Sequence, residues 1–238
     1  MSKKIVAVVG AGGKTTYIRK KAKEYVQQGK KVFVTTTTHM MKETDTLVSD
    51  DADAIIKELL EQNYVMAGRD CGEKIQALST ETYEKVCSYA DVILVEADGS
   101  KHMPIKFPAE HEPVIPGNVN EIVVVCGLHA MDKPLCQAAH RIELVKKCLN
   151  TSEETIVKAY HIQMLVMKGY VEPMKEKYPE MKITVEPSCN GSLYQRVITE
   201  LLKAGIDVSI VKEEWFQTQP DLFICGGGHV SCELVKMA

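Results

Sequence analysis

The sequence predicts an α/β fold, with a mainly parallel sheet and helices on both faces. Continuous apolar runs at residues 4–9, 91–95 and 122–126 have the length and β-branched content of strands buried on both sides. In the first third of the chain such runs alternate with amphipathic stretches of helical length. The short connections between them favour parallel pairing.

Residues 4–9 form the first strand, and about 15–28 the helix that follows. Lys31–Thr35 reads as a second buried strand. Asp51–Gln62 sets Ile55, Ile56, Leu59 and Leu60 on one face, the spacing of an amphipathic helix. Residues 64–67 and 75–77 are expected as short strands around a turn at 68–72, and Thr80–Tyr89 as a helix capped by Ser79 or Thr80. Residues 91–95 and 122–126 supply two more strands. A more helical part begins near Thr151, with a helix over Glu153–Lys168, a strand at 183–185, a helix near Ser192–Ala204 and a closing strand at 208–211.

With 238 residues, of which 45% are hydrophobic and 26% charged, the chain has room for one large α/β domain or a domain with a small appendage. The net charge is -3, and no lysine or arginine cluster is long enough to form a nucleic-acid stripe. No stretch approaches the roughly 18 apolar residues of a membrane span, and the glycine-broken start is too short for a signal peptide. These features predict a cytoplasmic protein that binds neither nucleic acid nor membrane. The eight cysteines are scattered and contain no C-x-x-C pair, so they are expected as small buried thiols in a reducing compartment.

The first strand runs directly into Gly10-Ala11-Gly12-Gly13-Lys14-Thr15-Thr16. A strand delivering a glycine-rich loop into a helix has the shape of a phosphate cradle. The glycines let backbone N–H groups turn on a phosphate, Lys14 reaches the terminal phosphates, and Thr15 holds Mg²⁺. All seven residues are therefore candidate nucleotide ligands, and the fold is expected to be P-loop NTPase-like. The position five before Gly13 is Val8, so the loop is shorter than G-x-x-x-x-G-K-[ST]. The shortened form is similar to the loop of the Mur ligases and related ATP-dependent enzymes.

In an open parallel sheet ligands collect at the carboxyl ends of the strands, so loops 10–16, 35–39, 96–101 and 127–133 are expected to converge. Glu96 ends a buried strand beside the glycine loop, where a carboxylate commonly serves Mg²⁺, and is predicted as a second metal ligand and catalytic group. Thr37, Thr38 and His39 follow the second strand as candidate substrate contacts, His39 also as a catalytic imidazole. Residues 99–116 hold four prolines, two lysines and two histidines in one long loop, which is uncommon without a task. Asp98, Lys101, Lys106 and His111 are accordingly predicted to contact substrate. The Asn-Lys-x-Asp guanine signature is absent; residues 132–134 read Asp-Lys-Pro.

The strings GAGGKTT at 10–16, VTTTTH at 34–39, ILVEADGSKHMPIKFPAEHEPVIP at 93–116 and GL…KPL at 127–135 resemble the YqeC family over roughly residues 1–215. The family is described as accessory to selenium-dependent hydroxylases. The resemblance implies a P-loop fold and a role in maturing molybdenum hydroxylases that carry labile selenium, with the hydroxylase or its cofactor as partner.

Residues 221–225 form another apolar run, followed by Gly226-Gly-Gly-His-Val-Ser231 between Cys225 and Cys232. This is similar to the GAGHV loop that opens the Rossmann domain of XdhC-type xanthine dehydrogenase accessory proteins. One strand and one helix cannot bury a Rossmann core. The expected organisation is a nucleotide-binding domain at 1–215 and, at 216–238, a linker with the start of a truncated XdhC-like domain. The expected function is binding of ATP or another NTP with Mg²⁺, with phosphoryl transfer or hydrolysis. The alternatives are a nucleotide-gated escort without turnover and a Mur-like ligase.

Overall fold

A computed structural model describes residues 3–188 of the chain. The expected domain boundary at 215/216, the helix and strand expected at 192–211 and the glycine loop at 226–231 lie outside the described residues.

The chain alternates strand and helix as its sequence predicts. Strand β1 (Lys4–Ala11) leads into helix α1 (Lys14–Gln27), followed by β2 (Val32–Thr36) and the short strands β3 (His39–Met41) and β4 (Thr46–Val48). Helix α2 (Ala52–Gln62) precedes a hairpin of β5 (Tyr64–Cys71) and β6 (Lys74–Gln76), then α3 (Thr80–Tyr89) and β7 (Val92–Glu96). Next come β8 (Ile105–Lys106), β9 (Glu121–Gly127), α4 (Leu135–Ala138), β10 (Ala139–His140) and α5 (Ile142–Leu149). The described residues close with α6 (Ala159–Val166), a π-turn at Met167–Val171, α7 (Glu172–Lys177) and β11 (Lys182–Ser188).

The main sheet runs β11-β9-β1-β7-β2-β5-β6-β3, with β4 beside β5. The strands from β11 to β5, with β4, are all parallel; β6 and β3 join antiparallel. β1 is central, with β7 and β9 on its two sides, so the loop leaving β1 opens between their carboxyl ends. Alternate residues of each strand serve opposite faces. Ile5, Ala7 and Val9 pack with Ile55, Leu59, Val86 and Ile162 from α2, α3 and α6, while Val6 and Val8 pack with Ile18 and Ala22 of α1. Helices therefore cover both faces.

Local chemistry explains the element ends. Asp51 caps α2 by accepting from the N–H groups of Asp53 and Ala54, and Ser79 caps α3 by accepting from Thr82 N–H. Two expectations need correction. The turn expected at 68–72 is tighter, because β5 continues to Cys71 and reverses at Gly72, whose φ of 68° suits a hairpin. The helix expected over Glu153–Lys168 starts only at Ala159, because 153–154 form a turn and the backbone beyond it pairs antiparallel with 132–135, with Pro134 bridged to Ile156 and Leu135 N–H donating to Thr155 O. Its continuation past Val166 is a π-turn, which aims Tyr170 inward. Of the five described cysteines, all free thiols, Cys87 and Cys126 are buried as expected, whereas Cys71 and Cys136 are exposed.

Ile93 is fully buried in β7, between β1 and β2. Ile93→Ala should lower unfolding stability by about 2–5 kcal/mol in urea titrations. The surface cap change Asp51→Ala should cost only about 1 kcal/mol.

Candidate functional site

The loops at the carboxyl ends of β1, β2, β7 and β9 meet as their sequence predicts. Glycine conformations make the first of them. Gly10, Gly12 and Gly13 have φ values of 91°, 75° and 134°, all in the left-handed region. Space is as restrictive as torsion: a Cβ on Gly10 would lie 2.1 Å from Val125 O, and one on Gly12 2.4 Å from Pro104 O. The loop thus lies flat against β9 and the 99–104 segment, with its backbone as its working surface.

The first bond of α1 is Tyr17 N–H to Gly13 O, at 2.9 Å. The amides of residues 13–16 stand ahead of it, at the positive end of the helix dipole. No side chain caps this end. Lys14 folds back over the loop: its Nζ donates to Gly10 O at 3.0 Å and to Ser100 Oγ at 3.2 Å, and lies 3.9 Å from Glu96 Oε1. Thr15 Oγ1 donates to Glu96 Oε2 at 3.0 Å. Lys14 and Glu96 are both buried. Burial pushes the Lys14 ammonium down in pKa against the pull of Glu96 and Asp98, and pushes the Glu96 carboxyl up against the pull of Lys14 and Thr15. Both groups are held towards neutrality.

Asp98 is fully buried, two residues beyond Glu96. Its Oδ2 accepts from Gly10 N–H at 3.1 Å and Tyr170 OH at 2.7 Å, and its Oδ1 accepts from Lys106 Nζ at 2.5 Å. Lys106 also donates to Gly99 O at 2.6 Å and Glu112 Oε2 at 2.8 Å. Arg141 then grips Glu112 with two bonds, at 2.7 and 3.1 Å. Burial alone would raise the Glu112 pKa, but the donors Arg141, Lys106 and Ala109 N–H outweigh it and pull the carboxyl to about 2. For Tyr170, burial and the Asp98 carboxylate push the phenol well above its usual value. The chain of groups links the glycine loop to β8, the 107–116 segment, the start of α5 and the π-turn.

The other predicted residues fall in different places. Thr37 is tied by its N–H to Glu96 O at 3.1 Å and by its hydroxyl to Val114 O at 2.7 Å, and Thr38 N–H donates to Thr36 Oγ1 at 3.0 Å. These threonines shape the strand end. His39 is exposed at the start of β3, and His111 is exposed on a turn. Lys101 is exposed beside the site, with a φ of 47°. Asp98 and Lys106, expected to meet substrate, are engaged with the protein itself. Asp98 is sealed from solvent, and the three protons of Lys106 go to three protein acceptors, leaving none for a ligand in this conformation.

Sequence reasoning passed over Ser100, Glu112, Arg141 and Tyr170. Glu112 stood next to the more conspicuous His111, and Arg141 and Tyr170 are 43 and 72 residues from Asp98 in the chain. Only tertiary packing brings them to it.

Residues 6–143 match the family described as YqeC protein, more than half of the chain. The chain belongs to the YqeC family. A curated relative from Escherichia coli (strain K12), named "Uncharacterized protein YqeC", is 35% identical over 136 residues. That alignment takes in 53% of this chain and 53% of the relative, so the chain spans about half the length of the curated relative it matches. The YqeC match contains the glycine loop, Glu96, Asp98, Lys106, Glu112 and Arg141, and ends before Tyr170. No helix among the described residues of this YqeC-family protein is long and apolar enough to cross a membrane.

The low Glu112 pKa sets a pH dependence. A carboxyl with a folded value of about 2 and an ordinary value of 4.5 contributes stability that is complete above about pH 4.5 and is lost as pH falls towards 2. Glu112→Gln should flatten this acid limb in denaturation curves measured from pH 6 to pH 2. Lys106→Met, which strands two carboxylates, should destabilise by about 3–5 kcal/mol at neutral pH.

Proposed function

We propose that this YqeC-family protein binds a nucleoside triphosphate, ATP first among the candidates, with Mg²⁺. The observation that carries the reading is Lys14, a nearly solvent-free ammonium folded over a glycine loop at an uncapped helix N-terminus. Backbone amides, a helix dipole and a cation converge there, and together they suit a polyphosphate. Burial that holds Lys14 towards neutrality would be relieved by an anion, which favours its charged form.

Thr15 and Glu96 fit Mg²⁺. Both offer oxygen donors, and their side chains touch at 3.0 Å. Among the described residues no group of three or more His, Cys, Asp or Glu side chains is placed to enclose a metal. That donor set suits an ion which takes one or two protein ligands and keeps water and phosphate oxygens for the rest. Bound Mg²⁺ would neutralise charge on the phosphates. Lys14 would hold the terminal phosphate, the amides of 13–16 the phosphate chain, and Glu96 its ionised form against the metal. Such an arrangement supports transfer of the terminal phosphoryl group to water or an acceptor hydroxyl.

The cellular role that the YqeC resemblance suggests is maturation of selenium-dependent molybdenum hydroxylases, with the apo-hydroxylase or its molybdenum cofactor as partner. One observation favours a nucleotide-gated escort over a turnover enzyme. The 99–116 segment is tied through Lys106 and Asp98 to the glycine loop itself, so a ligand at the loop bears directly on a long surface segment.

Thermal shift with ATP, GTP, CTP and molybdopterin cytosine dinucleotide, with and without Mg²⁺, tests the binding reading. One nucleotide should raise Tm, a ligand at 100 times its Kd adding about 2.7 kcal/mol, and Lys14→Ala should abolish the rise. Silence across the panel would remove the nucleotide reading. Multiple-turnover phosphate release then separates the two roles: acceptor-dependent release lost in Lys14→Ala marks an enzyme, and tight binding without release marks an escort.

A further inference from the structure

The shortened loop has one backbone donor committed to the protein itself. Gly10 N–H is already spent on Asp98 at 3.1 Å, and the sequence has no glycine at position 8 to lengthen the turn. Two serine hydroxyls stand against what remains of the cradle, on opposite sides of β1. From the β7 side, Ser100 Oγ lies 3.2 Å from Lys14 Nζ. Its segment is pinned at both ends. Lys106 holds Gly99 O at 2.6 Å, and Pro104 O accepts Gly127 N–H at 3.0 Å.

From the β9 side comes Ser188, the last residue of β11, in register with Gly127. A Cβ built on Gly13 would lie 2.3 Å from Ser188 Oγ and 2.8 Å from Ser188 Cβ. The Ser188 hydroxyl therefore occupies the space a side chain at Gly13 would take, next to the amides that precede the first bond of α1. Neither serine stands in the glycine-lysine-threonine string, and Ser188 lies 45 residues beyond the YqeC match.

We propose that Ser100 and Ser188 form a hydroxyl clamp that completes the phosphate site, Ser100 beside Lys14 on the terminal phosphate and Ser188 beside Gly13 on the phosphate nearest the helix. A hydroxyl is suited to this position because it donates to the anion yet adds no charge to a site whose lysine and glutamate are already buried together. The inference rests on the nucleotide reading above and adds two side-chain ligands to it.

The experiment is titration of Mg-ATP and Mg-ADP into the full chain by calorimetry, for wild type, Ser100→Ala, Ser188→Ala, Ser188→Thr and Lys14→Ala, with the unliganded Tm of each recorded. A hydrogen bond to a charged group implies roughly a tenfold or larger loss of ATP affinity in each alanine variant. Ser100→Ala should weaken ATP more than ADP, Ser188→Ala should weaken both, and Ser188→Thr should bind as wild type does. Wild-type affinity in both alanine variants, with wild type still binding ATP and Lys14→Ala not, overturns the clamp and leaves the nucleotide reading standing. If wild type itself binds no nucleotide, both fall. A general loss of folding would show as a lowered unliganded Tm, and equal losses in Ser188→Ala and Ser188→Thr would also overturn a hydroxyl-specific role.

Discussion

The buried carboxylate of Asp98 is the constraint on which the rest of the site depends. An ionised group removed from water must be met by donors, and the low dielectric that makes it costly alone makes its partners strongly directional. Asp98 draws Gly10 N–H from the glycine loop, Lys106 from β8 and Tyr170 from the π-turn to one point. Three segments far apart in the chain are thereby held in one geometry. Glu112 and Arg141 extend the same compensation outward, because Lys106 has protons left to donate after Asp98 and the carboxylate that accepts one of them is balanced by Arg141. The strap between β7 and β9, long and proline-rich as it is, gains its shape from this buried charge.

Next to this saturated network lies a pair that is not saturated. Lys14 and Glu96 are buried at 3.9 Å, too far for a good hydrogen bond, and each is pushed towards its neutral form. The contrast has a physical meaning. Asp98, Lys106, Glu112 and Arg141 balance one another within the protein, so they hold structure. Lys14 and Glu96 balance poorly, so an anion beside one and a cation beside the other would relieve both. The first set ties the loop to its neighbours; the second is the pair on which the proposed nucleotide site rests.

Much of this was legible in the sequence, and the residues show why. β1, α1, β7 and β9 announced themselves through local periodicity, and Gly10–Thr16 through residue types that only a tight backbone turn explains. Asp51 and Ser79 were readable as caps because a cap bonds to amides two or three residues away. A lysine in a polar, proline-rich stretch reads as exposed, and nothing local reveals that Asp98, Gly99 O and Glu112 surround Lys106. The composition of residues 153–158 permits a helix, while pairing with 132–136 offers their backbone another set of hydrogen bonds.

The sequence by itself determined the alternation of strand and helix and the glycine loop with Lys14 and Thr15, because each depends on interactions within a few residues; the parallel sheet was legible only because short connections between alternating elements favour it. Tertiary structure alone decided which charged groups are buried and which of them face each other. It placed Tyr170 and Arg141 against the Asp98 network and Ser188 against Gly13, across 72, 43 and 175 residues of chain respectively. The physical reason is that burial, and with it the strength of every charge and hydrogen bond in the site, belongs to the packed molecule and not to any segment of it.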